Sequence, residues 1–257
     1  MTTPPYKSAP GLQRLPGIAH GFFGNQGGVS EGIYASLNVG IGSGDEASAI
    51  AENRTRVRSA LGLTEMVSCY QVHGRGVVEV TEAWQARPQA DAMITRTPGI
   101  GLCILTADCV PILLADHEAG IVGAAHAGWK GALAGVGEAV VTAMEKAGAS
   151  ASRIVAAIGP AIQQASYEVG PEFRERFVAG APQNATYFRP GTGDRLLFDL
   201  TGYVEDRLGC LGLARIDRLT DDTCADTGFF SNRRRTHAGE PDYGRNASVI
   251  ALLSHQH

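Results

Sequence analysis

The sequence of 257 residues predicts an α/β (α+β) fold. Short apolar runs such as 101–105 and 121–125 have the length of buried strands. Between them lie segments with apolar residues at helical spacing, for example 45–61. Strands interleaved with helices are typical of layered proteins. No proline- and serine-rich linker divides the chain, so we expect one domain over 18–257, preceded by a flexible arm at 1–17.

In the first half of the chain, the best-marked element is a helix from an Asp45 N-cap to about Leu61, ended by Gly62. Its apolar stripe contains Ile50, Val57 and Leu61. Strands are expected at 66–72, 77–81, 101–105, 111–115 and 121–125.

In the second half, Gly128 precedes a helix predicted over 129–147. A buried strand at 153–158 stops at the pair Gly159-Pro160. Two further helices are expected at 172–178 and 200–208, and final strands at 229–231 and 247–253.

Composition limits the classes of partner. Arginine and lysine total 22 against 26 acidic residues, a net charge of −4, so nucleic acid and anionic membranes are not expected as main partners. The run Arg233-Arg234-Arg235 is the exception, and it fits either a solvated turn or an anion contact beside a site. No apolar stretch has the roughly 18 residues of a membrane span.

Cysteine usage indicates a reducing compartment. Five cysteines at irregular spacing do not form the pattern of a disulfide framework. The N-terminal segment has no apolar core of a secretory signal. We therefore expect a cytoplasmic protein.

Three residues form the candidate site: His73, Cys109 and His126. Small residues adjoin the two histidines, and all three residues lie at a predicted strand end or turn. Two imidazoles and one thiolate suit zinc, with copper as the less favoured ion, and three protein ligands leave one position open for catalysis. Taken singly, each has an ordinary structural explanation, such as a buried cysteine or a histidine that caps backbone groups.

The segments around these residues resemble a known family. They are QVHG, TADCVPILLAD, AAHAGWKG, IGPAIQQASYEVG and DTCADTGFFSNRRR, and the similarity extends from about His20 to Ile250. They are similar to the YfiH-like family, also called the laccase-domain or polyphenol oxidase family, whose members are read as purine nucleoside phosphorylases. Many members carry Thr-Arg before the GGVS turn. This chain has Gly24-Asn25-Gln26 at that place. The substrate contact that the family's arginine makes is therefore not carried over to this chain.

The resemblance implies an α-β-β-α layered sandwich and a metal-ligand role for His73, Cys109 and His126. It also implies a zinc enzyme whose partners are phosphate and a purine nucleoside: adenosine, inosine, guanosine or methylthioadenosine. Adenosine deamination at the same site is part of that expectation.

Five residues are candidates for substrate binding. Lys130 would add positive charge in the first turn of a helix whose free N–H groups attract anions, although an exposed lysine explains it equally well. Gln164 is a hydrogen-bonding candidate for a base, and Asp91 is a candidate acid/base or ligand-orienting carboxylate. Asn38 and Arg245 match family positions that line the pocket, and either also fits a turn or surface role.

Two other activities use the same atoms. Cys109 could be the nucleophile of a metal-free hydrolase with His126 or His73 as base, an activity that would suit editing of peptidoglycan precursors. A copper polyphenol oxidase is less favoured, because a multicopper enzyme needs more histidines than the seven present. The one H-x-H pair, His255 and His257, lies in a tail that we expect to fray.

Overall fold

Two β-sheets lie face to face, with helices on the outer face of each, in this computed structural model, which describes residues 3–254. The strands are β1 (Tyr6–Lys7), β2 (Ile18–Phe23), β3 (Glu65–Val67), β4 (Val77–Val80), β5 (Ala92–Thr95), β6 (Ile100–Thr106), β7 (Val110–Asp116), β8 (Ile121–Ala127), β9 (Val155–Ile158), β10 (Glu168–Val169), β11 (Phe188–Pro190), β12 (Leu196–Phe198), β13 (Arg215–Arg218) and β14 (Asn246–Leu252). The α-helices are α1 (Pro10–Gln13), α2 (Ala47–Ala60), α3 (Trp129–Ala134), α4 (Val136–Lys146), α5 (Pro171–Val178), α6 (Leu200–Gly209) and α7 (Asn232–Ala238). Short 3₁₀ turns cover Gly32–Tyr34, Ala151–Arg153, Gln164–Ser166 and Pro182–Tyr187.

The larger sheet has the strand order β13-β9-β7-β8-β5-β4, and the second has the order β1-β2-β14-β6-β3. A small third sheet, β10-β12-β11, lies apart from both. In the larger sheet, β8 runs antiparallel between β7 and β5. This central position makes β8 the strand around which the candidate site is built.

Alternation along the strands explains the layers. On β7, Ile112 and Leu114 belong to the core shared with α4 and α6, whereas Leu113 and Ala115 belong to the core between the sheets. On β6, Cys103 lies in the core shared with α2. Successive residues of a strand point to opposite faces, so both sheets are buried on two sides. The order of layers is therefore α-β-β-α within one domain, as expected. No helix within residues 3–254 combines the length and apolar character needed to cross a membrane.

Two of the expected helices differ in detail. Glu46, and not Asp45, is the N-cap residue of α2, because the Asp45 carboxylate accepts hydrogen bonds from Ser30 and Asn38 in the preceding loops. The helix expected over 129–147 is broken at Gly135, whose φ of 87° is left-handed. That conformation, which glycine adopts without steric cost, ends α3 and reorients the chain into α4.

Of the other expected strands, one does not form and one is shorter than expected. Residues 229–231 form no strand, because the Ser231 hydroxyl accepts a hydrogen bond from the Arg234 N–H and so caps α7. The strand expected over 66–72 ends at Val67. Beyond it, the Tyr70 N–H donates to the Pro88 carbonyl, which turns the chain toward the candidate site.

Part of the N-terminal segment is packed, which differs from the expected flexible arm at 1–17. Ala9 and Leu12 are fully buried in the core between the sheets. The Ala9 N–H donates to Nε2 of the buried His20 at 2.8 Å. A boundary at residue 18 stays a prediction, and His255 and His257 lie outside the described residues.

Asp116, at the end of β7, is a buried carboxylate that joins three segments. It accepts hydrogen bonds from the Ala119 and Ser150 N–H groups and pairs with Arg153 at 2.8 Å. Burial alone would raise the pKa of Asp116, but the hydrogen bonds from Arg153, Ser150 and Ala119 together hold it below its usual value.

We expect Asp116→Ala to lower the free energy of unfolding by about 2–4 kcal/mol, because buried donors lose their acceptor. Urea denaturation at pH 7 measures the loss. Folding lowers the pKa of Asp116, so its contribution to stability is fully present above the pKa of an unfolded aspartate, about 3.9. That contribution is lost as the pH falls below this value and through the folded-state pKa. Glu118→Ala is the matched control, because Glu118 also faces Arg153 but is exposed and lies farther from it, at 3.7 Å. An equal loss in both variants would contradict the role given to Asp116.

Candidate functional site

Three elements bring the candidate ligands together. Cys109 lies in the short connection that carries the chain from β6 in one sheet to β7 in the other. His126 lies near the end of β8 and is paired with Pro111 of β7, which places it beside that connection. His73 lies in the loop between β3 and β4, in the left-handed region with a φ of 60°.

The three side chains are close enough to share one ion. One ligand atom from each of His73, Cys109 and His126 lies within 4.8 Å of the others, and the distance from Cys109 Sγ to His73 Nε2 is 4.0 Å. Ligand atoms of a tetrahedral zinc site are about 3.5 Å apart, as follows from its Zn–N and Zn–S bond lengths. A small contraction of the group is sufficient to bind a metal ion.

Asp91, which directly precedes β5, supports two of the three ligands. Its carboxylate accepts hydrogen bonds from the backbone N–H groups of Val72, His73 and Gly74, at 3.2, 2.9 and 2.7 Å. Its Oδ1 also lies 2.8 Å from Nδ1 of His126. One buried carboxylate thus fixes the His73 loop and the orientation of the His126 ring.

This hydrogen bond decides which nitrogen of His126 can bind a metal. With Nδ1–H donating to Asp91, the lone pair of Nε2 is left for the ion. Histidine ligands in metal proteins commonly have such a carboxylate behind them, which fixes the tautomer. The donor set of the group therefore fits a metal ion.

The charges of the site favour the thiolate form of Cys109. Burial alone would raise the pKa of Cys109, but the positive charge and hydrogen bonds of His126 and His73 lower it to well below the usual value. Burial alone would lower the pKa of His126, but the Cys109 thiolate and Asp91 raise it. A thiolate is the form in which cysteine binds a metal or acts as a nucleophile.

Two backbone features make room for this arrangement. A Cβ atom at Gly128 would lie 2.7 Å from Cδ2 of His73 and 3.1 Å from Sγ of Cys109, so a larger residue would displace both ligands. Asp108 has a φ of 88°, and its carboxylate accepts hydrogen bonds from the Thr223 hydroxyl and the Arg233 N–H. These bonds hold the strained turn that presents Cys109.

Two cavities open onto the group. The larger, of about 250 Å³, is lined by His73, Cys109 and His126 together with Tyr70, Tyr243 and Arg245, among others. The smaller, of about 210 Å³, is lined by His73 and Cys109 together with Trp129, Tyr167 and Arg233, among others. His73 and Cys109 thus lie between the two cavities.

Of the five residues expected to bind substrate, Arg245 lines the larger cavity. Its guanidinium carbon lies 3.5 Å from the centroid of the Tyr243 ring, and its Nη2 lies 3.8 Å from the Asp242 carboxylate. Asp91 is buried behind His126, so its contacts are those of a residue that orients ligands.

The other three lie away from both cavity linings. Asn38 is fully buried, and its amide bonds to Ser43, Asp45 and the N–H groups of Gly40 and Arg245, so it orders the loop beside the larger cavity. The Gln164 side-chain amide donates to the carbonyls of Tyr187 and Leu197. Lys130 is exposed, and its ammonium lies 5.5 Å from the centroid of the Trp129 ring.

The basic run has three separate roles. Arg233 lines the smaller cavity. Arg234 donates to the carbonyls of Thr223, Cys224 and Phe229, which fixes the preceding loop. Arg235 lies over the Tyr243 ring at 5.2 Å. Of the two interpretations of this run, the anion contact beside a site fits Arg233, which lines a cavity next to the candidate ligands.

The tyrosines of the two cavities carry no signal in the sequence. Tyr70, Tyr167 and Tyr243 come from three distant loops, and an isolated tyrosine in a loop has many explanations. Pairing with arginine is their shared feature: the guanidinium of Arg87 lies 5.8 Å from the Tyr70 ring, and that of Arg233 lies 5.3 Å from the Tyr167 ring. Only the folded chain reveals these pairs.

Comparison with known proteins gives a consistent result. Residues 19–253 match the model of a family described as multi-copper polyphenol oxidoreductase laccase. A purine nucleoside phosphorylase of Deinococcus radiodurans is 41% identical over 254 residues, 95% of each chain. The purine nucleoside phosphorylase YfiH of Escherichia coli is 38% identical over 232 residues, 88% of this chain and 90% of that one.

A solved structure from Neisseria meningitidis is also similar, with a TM-score of 0.86 and 32% identity, covering 98% of this chain and 100% of that one. The similarity of sequence and of fold extends over nearly the whole molecule. This chain therefore belongs to the YfiH-type laccase-domain family, whose curated relatives named above are purine nucleoside phosphorylases.

Proposed function

We propose that this protein is a zinc-dependent purine nucleoside phosphorylase that accepts adenosine, inosine, guanosine or methylthioadenosine. The observation that carries the proposal is the His73, Cys109 and His126 group, oriented by Asp91 and open to two cavities. The names of the relatives support the choice of substrate. The five free cysteines are consistent with a cytoplasmic setting, which we also propose.

Zinc is the metal that the donor set favours. Two imidazole nitrogens and one thiolate leave a fourth tetrahedral position, as in catalytic zinc sites. Copper binds such ligands at least as tightly, so the choice between the metals in the cell depends on availability. A zinc ion held there would supply a Lewis acid beside the substrate.

The chain's own side chains would position the reactants. Tyr70 and Tyr243 present aromatic rings to the larger cavity, a surface suited to a purine base. Asp91 keeps His126 and the His73 loop in place while substrate enters. Positioning of this kind contributes to rate by converting an encounter of two reactants into a reaction within one complex.

The test is the dependence of cleavage on phosphate. We expect inosine to yield hypoxanthine and ribose 1-phosphate when inorganic phosphate is present, and to remain intact when it is absent. Chromatography of both products measures the outcome. Release of hypoxanthine and free ribose at the same rate without phosphate would indicate a hydrolase and overturn the proposal.

Adenosine deamination is a second candidate at the same site. The position left open by three protein ligands is the feature that favours it, because activation of water at such a site is a common route to hydrolysis. Asp108 is the carboxylate that lines the smaller cavity. Formation of inosine from adenosine without phosphate is the diagnostic reaction.

A metal-free cysteine hydrolase, such as one that edits peptidoglycan precursors, would use the same Cys109 thiolate. Metal analysis separates this hydrolase from the zinc phosphorylase, since full activity of fully metal-free protein would favour the hydrolase.

A multicopper oxidase is less compatible with the structure. Within residues 3–254, one group of side chains, His73, Cys109 and His126, could hold a metal ion. Multicopper chemistry needs further ligands.

A further inference from the structure

The two cavities beside the metal ligands differ in chemistry. In the larger, Arg245 faces Asp242 and stacks on Tyr243, whereas Arg87 has no carboxylate partner among residues 3–254 and donates to the Ile41 carbonyl. In the smaller, Arg233 forms no ion pair with any carboxylate of residues 3–254. The smaller cavity therefore contains, beside His73 and Cys109, a cation that no carboxylate of residues 3–254 neutralises.

Arg233 is held in a defined position. Its backbone N–H donates to Asp108 at 2.6 Å, and its Nη1 donates to the Glu168 carbonyl at 2.7 Å. The same guanidinium lies against the ring of Tyr167. A guanidinium fixed in this way still has other N–H donors for a ligand, and little side-chain freedom is lost when the ligand binds.

The carboxylate in the lining of the smaller cavity already accepts hydrogen bonds from the protein. Asp108 lines the same cavity, but one of its oxygens accepts the Thr223 hydroxyl and the other accepts the Arg233 N–H. Tyr167 adds a further donor: burial raises the pKa of its phenol, which keeps the O–H neutral. In the described part of the chain, that hydroxyl has no hydrogen-bond partner.

The cavity sizes indicate how two reactants can share the site. Each cavity, at about 250 and 210 Å³, is smaller than the roughly 300 Å³ at which pockets begin to hold a drug-sized ligand with most of its surface buried. Neither cavity alone is large enough for a nucleoside together with a phosphate ion, so we assign the two reactants to separate cavities. His73 and Cys109, which line both, lie at the junction where the reactants would meet.

We propose that the cavity formed by Arg233, Tyr167 and Trp129 is the phosphate subsite, and that the nucleoside enters through the larger cavity. This inference rests on the proposed phosphorylase function. In the reaction, an oxygen of the hydrogen phosphate ion forms a bond to C1′ while the bond from C1′ to N9 breaks. The electron pair of that bond leaves with the purine, which takes the proton that the phosphate loses. The role of Arg233 and Tyr167 is to hold the phosphate ion toward the junction.

The kinetic experiment compares three variants. We expect Arg233→Gln to raise the KM for phosphate by about tenfold to a hundredfold, as loss of a charge-assisted hydrogen bond implies, with the KM for inosine changed by less than about twofold. Arg233→Lys retains the charge and should recover part of the loss. Arg96→Gln is the matched control, because Arg96 is an exposed arginine that pairs with Glu79 and lines neither cavity. A phosphate KM that is equal in Arg233→Gln and wild type would overturn the assignment.

A binding experiment separates failure of the subsite from failure of the function. Isothermal titration with inorganic phosphate is carried out on wild type, Arg233→Gln and Arg245→Gln, each with its metal content measured. Binding by wild type and Arg245→Gln but not by Arg233→Gln supports the subsite. Binding by Arg233→Gln as tight as wild type refutes it. If phosphate binds through Arg233 but inosine is cleaved without phosphate, the results support the anion site and refute the phosphorylase function.

Discussion

Cys109→Ala should leave the protein without its metal and lower the rate of nucleoside cleavage by more than about a hundredfold. Removing a residue that merely supports a ligand costs about 10- to 100-fold, so removal of a ligand itself should cost more. The side chain is partly exposed at the junction of two cavities, so its loss removes chemistry and little core volume. Elemental analysis and an inosine cleavage assay measure the two effects.

The matched control is Cys210→Ala, because Cys210 is also a free cysteine but is exposed at the end of α6. It should retain full metal content and activity. His126→Ala should behave like Cys109→Ala, with a native circular dichroism spectrum. Full zinc stoichiometry in Cys109→Ala would remove Cys109 from the ligand set. A wild type that is active without metal would favour the cysteine hydrolase.

Asp91→Asn is expected to have the second-largest effect, a loss of metal affinity of about 10- to 100-fold. The carboxylate accepts three backbone N–H groups and contacts Nδ1 of His126. Burial alone would raise the pKa of Asp91, but the hydrogen bonds from His126, Gly74 and His73 hold it below its usual value, so the charged form is the one that supports the site. An amide would point its own N–H groups at some of these donors.

Competition with a colorimetric chelator measures the affinity. Asp116→Asn is the control, since it also neutralises a buried carboxylate with several backbone N–H donors but lies outside both cavity linings. It should lower stability and leave metal affinity unchanged. Equal metal affinity in Asp91→Asn and wild type would show that Asp91 does not orient the ligands.

Much of the architecture was predictable from local patterns. The apolar runs at 101–105, 111–115 and 121–125 lie within β6, β7 and β8, because strands buried on both faces have near-continuous apolar sequences. The edge strand β13 was missed for the opposite reason. It contains Arg215, Asp217 and Arg218, and it is a strand only because β9 lies beside it in parallel register.

The structure brings together the three candidate ligands that the sequence singled out. The family resemblance carried that choice, because each residue taken singly also has an ordinary structural explanation. Their support was only partly predictable. The sequence identifies Asp91 as a carboxylate near a strand, but its simultaneous contacts with His73 and His126 require β5 and β8 to pair. The position of Lys130 after Gly128 suggested a phosphate contact. The fold leaves that side chain exposed over the Trp129 ring, and its contact with phosphate stays a prediction.

By itself, the sequence determined the α/β fold class from local patterns. Its resemblance to a known family implied the layered arrangement and the three candidate metal ligands, since the motifs that carry the resemblance are short segments. The tertiary structure alone decided that His73 and Cys109 lie between two cavities, and that Arg233 and Tyr167 face the same one. These residues come from β-strand connections and from the start of α7, which are distant in the chain. Their meeting depends on sheet pairing and on left-handed turns at Asp108 and His73, which are set by contacts with other segments.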